Sequence, residues 1–385
     1  MAHSGFAALR GRRVGVVCHP ASVDSRLRHV VDLMTDAGIR IEAIFGPEHG
    51  LLGQAQDLIG VEAGECGRPA PACRIHSLYG HSVESLHPTP EQLDGLDALV
   101  IDLQDVGARF YTFQATMLYC LQAALRLGVE VFVPDRPNPL GGTAIEGPRL
   151  APECASFVGA HDIAVRHGLT MGELARLYVR ELGLPAGGLR IAPCEGWSRR
   201  QLFPETGLPW VLPSPNMPTA ETALVYPGQC LLEGTNLSEG RGTTRPFEIC
   251  GAPWLDAREF AAWLTAENLP GVVFRPLSFR PTFQKHAGVD CGGVQLHVTD
   301  PSAYRPVRTS LALLAAAREL SGGAFAWRTE VYEFVSDPIA IDLLFGSPRE
   351  REALERGDDW REIAAAWLAD EAAFAGRARS VWLYE

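Results

Sequence analysis

Lysine is nearly absent from this chain. Of 34 basic residues only Lys285 is a lysine, which leaves 33 arginines against 46 acidic side chains and a net charge of −12. So acidic a chain, with no run of basic residues, has no face for a phosphate backbone or an anionic membrane surface, and nucleic acid is excluded as a partner. No stretch approaches the roughly 18 apolar residues that a membrane helix needs. The first residues, Met1–Arg13, lack the apolar core of a secretory signal, and the short run Val14–Cys18 ends in His19-Pro20. Nine cysteines (18, 66, 73, 120, 154, 194, 230, 250, 291) are odd in number, scattered and free of any C-x-x-C pair. They read as small core residues of a reduced, cytoplasmic protein.

Familiar catalytic motifs are missing too. The loop after the first apolar run reads Cys18-His19-Pro20-Ala21-Ser22, without the G-x-G-x-x-G of a dinucleotide site. There is no P-loop, no G-x-S-x-G elbow and no H-E-x-x-H. His76, His81 and His87 fit no helix face and read as surface residues rather than a zinc site. No cofactor and no metal is expected; a metal held by Asp102 and Asp105 is the weak exception.

What is present is 385 residues, 46% of them hydrophobic, enough for two or three domains at roughly 150 residues each and for a core without staples. Short apolar runs at Arg13–Cys18, Ile39–Phe45, Arg74–Tyr79, Ala98–Leu103 and Glu130–Pro134 alternate with helical patterns. These are Leu27 to Met34 before Gly38, a capping box at Thr89–Gln92, and Thr112–Leu127 before Gly128. Such alternation means a parallel sheet covered on both faces, an α/β fold. A capped helix from Thr170 and a strand at Leu189–Ala192 follow. Gly196–Pro246 reads as a long functional loop. Beyond Phe247 come a helix capped by Asp256, strands at Val272–Arg275 and Gly293–Val298, a helix near Val307–Leu320 and a helical tail from Ser347. The pattern predicts two domains, 1–246 and a smaller α/β domain at 247–385.

Ligands of open α/β sheets bind outside the carboxyl ends of the strands. Four of these strands run into polar groups: His19; Glu48-His49; Asp102, Asp105, Arg109 and Tyr111; and Asp135-Arg136-Pro137-Asn138. Asp135 and Asn138 read equally as caps or turns, and Arg109 as an ion-pair partner of Asp102 or Asp105. Glu48 stands out: it follows a buried strand, between Pro47 and His49, with glycines at 46 and 50 that let backbone approach. A partly desolvated carboxyl there suits a general acid. The stretch Glu233–Arg245 adds Asn236, Glu239, Arg241 and Thr244 among glycines, the chemistry of polyol or carboxylate recognition, or of an interdomain hinge.

Six segments in order carry a family resemblance: FGPEHG (45–50), DLQDVGARFYT (102–112), DRPNP (135–139), PSPNMPT (213–219), YPG (226–228) and EGTNLSEGRGTTRPFE (233–248). With a closing Arg379…Tyr384 they cover essentially the whole chain. They resemble the exo-β-N-acetylmuramidases of glycoside hydrolase family 171, the NamZ type. The resemblance implies a Rossmann-like N-terminal domain and a smaller α/β domain with the site between them. It also implies release of N-acetylmuramic acid (MurNAc) from the non-reducing end of peptidoglycan fragments such as MurNAc-GlcNAc or muropeptides, and Glu48 as the catalytic glutamate. Many relatives look exported; a chain without a signal points to recycling of imported fragments.

Glycosidic cleavage needs an acid and a second carboxylate, about 5 Å apart for retention and about 6.5–9.5 Å for inversion. Asp105, Asp102 and Glu239 compete for the second role, and the substrate's own acetamido group offers another route. Arg241, then Arg136, suits the lactyl carboxylate, and a basic pocket in an acidic protein is the expectation. Arg109, Tyr111, Asp135, Asn138, Asn216, Glu233, Asn236, Thr244 and His49 complete the expected binding set. The rival readings are a non-catalytic amino-sugar binder and a metal-dependent hydrolase.

Overall fold

The structure is a computed structural model describing residues 1, 4–53, 55 and 73–385; of the sequence features above, Cys66 lies outside the described residues. The N-terminal part carries β1 (Arg13–Cys18), α1 (Val30–Asp36), β2 (Arg40–Gly46), β3 (Arg74–Ser77), α2 (Pro90–Leu93), β4 (Ala98–Asp102), α3 (Phe113–Arg126), β5 (Glu130–Pro134), α4 (Met171–Glu181) and β6 (Leu189–Ala192). The six strands form one parallel sheet in the order β3-β2-β1-β4-β5-β6. This is the doubly wound order, in which the direction of winding, not of the strands, reverses between β1 and β4 and the loops splay apart at the strand ends. β4 is buried along its whole length, as a central strand covered on both faces must be.

Capping chemistry placed two helices as expected: Thr89–Gln92 and Thr170–Glu173 both form reciprocal capping boxes. Leu27 does not belong to the first helix. Asp24 accepts the backbone N–H of Arg26 and Arg28, and that turn leaves Leu27 left-handed (φ 61°) and exposed; the helix starts only at Val30, capped by His29.

The long loop is not all loop. It contains α5 (Ala220–Gln229), running into a tight 3₁₀ turn at Cys230–Gly234. Pro227 inside α5 hides it from a propensity reading, because proline removes a helical hydrogen bond. The next residue explains why the helix is kept: a Cβ on Gly228 would lie 2.0 Å from the Pro306 carbonyl, so only glycine lets α5 seat against α7 (Pro306–Leu320). β7 (Ile249–Ala252), α6 (Ala257–Ala266), β8 (Val272–Phe279) and β9 (Cys291–Val298) complete a second unit. Its sheet is antiparallel, in the order β7-β9-β8. The tail holds α8 (Ala340–Phe345), α9 (Arg349–Arg356), α10 (Trp360–Ala365) and α11 (Leu368–Arg379); it is helical from Ala340, earlier than the expected Ser347. One apolar core runs from Val17 and Leu99 of the large sheet to Val294 and Leu313 of the second unit.

Candidate active site

β2 ends at Gly46 and the chain turns back at once. Gly50 donates its N–H to the Pro47 carbonyl (3.0 Å), and His49 takes a left-handed φ of 69°. A non-glycine residue in that region costs about 1–2 kcal/mol, and such strain gathers at functional sites. The turn aims Glu48 inward, 5% exposed, where Thr112 Oγ1 donates to its Oε2 at 2.6 Å. Thr112 is the N-cap of α3, yet its side chain makes no cap bond. A hydroxyl that would serve the helix is given to the carboxylate instead.

Glu48, His49, Tyr111, Thr112, Asn216, Glu233 and Arg241 line one cavity, together with Ser214, Tyr226, Tyr332 and Glu333. Its free space is about 40 Å³, room for about two or three waters, so a sugar ring enters only if the walls give. Glu233 accepts from Arg241 Nη2 through one oxygen and from the Tyr332 hydroxyl through the other, both at 2.8 Å. Arg241 also lies 3.5 Å from Glu239 and 4.9 Å over the Phe247 ring. Behind it the single lysine, Lys285, donates to Glu239 (2.9 Å) and to the carbonyls of Leu232 and Leu237. Burial pushes the Glu239 carboxyl up, but Lys285 and Arg241 outweigh it and hold it below its ordinary value.

Sequence reasoning missed Glu333 and Tyr332. They sit on a tight turn closed by reciprocal 2.9 Å bonds between Tyr332 and Val335, with Glu333 (φ 46°) and Phe334 (φ 69°) at its centre. Two positive φ values in a row are the geometry that favours Asn-Gly; Glu-Phe carries no such signal. Tyr79 holds the turn, donating to Glu333 Oε2 (3.0 Å) and packing 5.7 Å from the Phe334 ring. The segment entering Ser214 and Asn216 is tethered at Pro213 by His19, whose Nδ1 donates to the Pro213 carbonyl (3.3 Å) while Nε2 accepts from Gln104 N–H. Burial, with Arg136 nearby, keeps that imidazole's pKa far below its usual value, hence neutral.

The other expected residues lie elsewhere. Asp102 is locked to Arg136 by two bonds of 2.6 and 3.0 Å, and both line a separate cavity over β4–β6. Asp105 accepts from Gly107 N–H (2.6 Å) and sits 3.2 Å from buried His167, holding the loop that carries Tyr111 and Thr112. Arg109 pairs with neither aspartate: fully buried, it donates to the carbonyls of Pro148, Ile163, Leu344 and Phe345. Asp135 takes four donors, from Arg136, Gly172, Thr170 and Tyr384, and burial pushes its pKa up to about 6. Asn138 bridges Leu140 and Leu169 and packs where a Cβ on Gly107 (φ 82°) would be, 2.7 Å away. Asn236 and Glu239 line a neighbouring groove; Thr244 is exposed. Among the described residues the lining is not basic, against expectation: three carboxylates, Glu48, Glu233 and Glu333, face one arginine, Arg241. Of the histidines set aside, His81 and His87 are exposed, while His76 is partly buried against Phe45. Among the described residues no group of three or more His, Cys, Asp or Glu is placed to hold a metal ion.

Two family profiles match, described as the N-terminal and C-terminal parts of the exo-β-N-acetylmuramidase NamZ, over residues 14–221 and 224–384. The chain is 44% identical over 356 residues to the peptidoglycan β-N-acetylmuramidase NamZ of Bacillus subtilis, covering 92% of this chain and 83% of that one. Two crystal structures of DUF1343 family proteins from Bacteroides fragilis are similar over the whole chain and 97% of theirs, with TM-scores of 0.89 and 0.76 at 30% and 27% identity.

Proposed function

This chain belongs to the NamZ family of exo-β-N-acetylmuramidases, and from that premise we propose that its glycosidase chemistry is done in the cavity around Glu48. The enzyme removes MurNAc from the non-reducing end of peptidoglycan fragments; a MurNAc-GlcNAc disaccharide is the smallest substrate the reading needs. No helix among the described residues is long and apolar enough to cross a membrane.

One observation carries the assignment. Glu48 is a buried carboxyl on a strained turn, bonded through Oε2 to Thr112, in a cavity with two further carboxylates. Thr112 fixes the carboxyl plane and leaves Oε1 to carry the proton to the leaving glycosidic oxygen, as a general acid must. The second carboxylate is Glu333. Glu233 has both oxygens engaged, by Arg241 and Tyr332, which suits it to hold Arg241 for the lactyl carboxylate. Asp102 and Asp105 are left as scaffold, the one paired with Arg136 and the other tied to Gly107.

Glu48→Gln keeps the Thr112 bond but cannot give up a proton. Its kcat on MurNAc-GlcNAc is expected to fall by about 10²–10⁴ with the thermal midpoint little changed. Wild-type turnover by that variant overturns the assignment. NMR of the first anomer released separates inversion, in which Glu333 activates water, from retention, in which Glu333 attacks or orients the acetamido group.

A further inference from the structure

A polar groove of about 540 Å³ adjoins the catalytic cavity, and Glu233 lines both. Its other walls include Thr235, Asn236, Trp327, Arg328 and Glu330. Two chain segments run from the cavity into this groove side by side. One continues from Glu233 to Asn236. The other leads from Ala326 to Arg328 and then to Tyr332 and Glu333. They are stitched antiparallel: Asn236 N–H donates to the Ala326 carbonyl and Arg328 N–H to the Gly234 carbonyl, both at 2.9 Å, with Thr235 opposite Trp327. The Asn236 side chain adds bonds to Ala324 and Ala326 (2.8 and 3.0 Å), and His286 Nε2 donates to the Asn236 carbonyl (2.7 Å).

This stitching fixes Trp327. Its half-buried ring is braced edge-on by Phe325, 4.8 Å away at 90°. An indole beside amide, hydroxyl and charged side chains is the composition that binds a pyranose: the sugar's C–H face lies on the ring and its hydroxyls meet the polar rim. The groove lies within the range of roughly 300–1,000 Å³ typical of small-molecule sites, whereas the cavity at Glu48 is narrow. An enzyme that cuts from the end needs one closed side for the terminal sugar and one open side for what remains attached.

We propose that this groove is the leaving-group side of the site, with Trp327 as the platform for the amino sugar released from MurNAc. The inference rests on the Glu48 reading above. Two substrates separate the two ideas. MurNAc-GlcNAc fills the groove; β-muramyl fluoride has a one-atom leaving group and leaves it empty. In Trp327→Ala the ratio of kcat/KM for the disaccharide to that for the fluoride is expected to fall roughly five- to tenfold, the size of one aromatic contact. Trp327→Phe recovers most of the ratio. An unchanged ratio, or equal losses on both substrates, overturns the groove proposal. Should alanine prevent folding, Trp327→His serves, with a smaller fall expected and the same reading of an unchanged ratio. Glu48→Gln tests the other reading: it is expected to lose turnover of the disaccharide far more than of the fluoride, which departs with little proton donation, and equal losses on both overturn the Glu48 reading instead.

Discussion

At the scale of single residues, the site is built from groups that forgo their ordinary structural work. Thr112 caps α3 by position but gives its hydroxyl to Glu48, and His49 holds a left-handed backbone that glycine would take at no cost. Asp135 shows the opposite economy. It serves structure fully, accepting from four donors, and pH exposes its burial. Its folded pKa of about 6 lies above the ordinary 3.8, so the folded state binds more protons between those values. Stability on its account is greatest below about pH 4 and is lost as pH rises through about 6, by about 2–3 kcal/mol in all. In Asp135→Asn that loss disappears. Thermal midpoints from pH 4 to 8 should show the wild type's advantage over the variant shrinking with rising pH; a constant or growing advantage would contradict the burial argument.

At the scale of elements, the Tyr332–Val335 turn is the part of the wall fit to move. It is short, bears two left-handed non-glycine residues, and is anchored to its surroundings by Tyr79, which meets Glu333 and Phe334, and by the Tyr332 hydroxyl on Glu233. With about 40 Å³ free in the cavity, a muramyl ring needs this turn to shift. Asparagine suits the first central position better than glutamate. Glu333→Asn is therefore expected to keep or slightly raise the thermal midpoint while kcat drops at least about tenfold, the stability–activity opposition of a strained site. A variant that loses both together would make Glu333 merely structural.

At the scale of the whole molecule, charge works against encounter. A protein of net charge −12, with Glu233 and Glu333 against Arg241 among the described residues of the cavity, is expected to repel a substrate bearing a lactyl carboxylate. The repulsion is screened when the Debye length falls from about 30 Å at 0.01 M salt to about 8 Å at 0.15 M. Raising salt over that range should increase kcat/KM for the free acid and leave it flat for the lactyl amide. A decrease with salt would restore the basic pocket that the geometry removes. Arg109 acts at the same scale: its four carbonyl bonds tie Pro148 and Ile163 of the N-terminal part to the end of α8, a clamp that no spacing in the sequence reveals.

The sequence by itself determined most strands (β7 at Ile249–Ala252 excepted), most helices and the place of Glu48, because those follow from local rules. Apolar runs bury as strands, Thr-x-x-Gln and Thr-x-x-Glu cap helices, and polar residues after parallel strands crowd one rim. It did not determine how that rim divides. Asp102, Asp105, Arg109 and Asp135 are as polar as Glu48, and only the packing across β4–β6 turned them inward onto Arg136, Gly107 and buried backbone. Nor could it bring Glu333 to Glu48, separated along the chain and joined through Tyr79 and a turn without turn residues. Local periodicity decides which element forms; which charged group stays open to a ligand depends on which buried donors and acceptors the tertiary fold leaves to be satisfied.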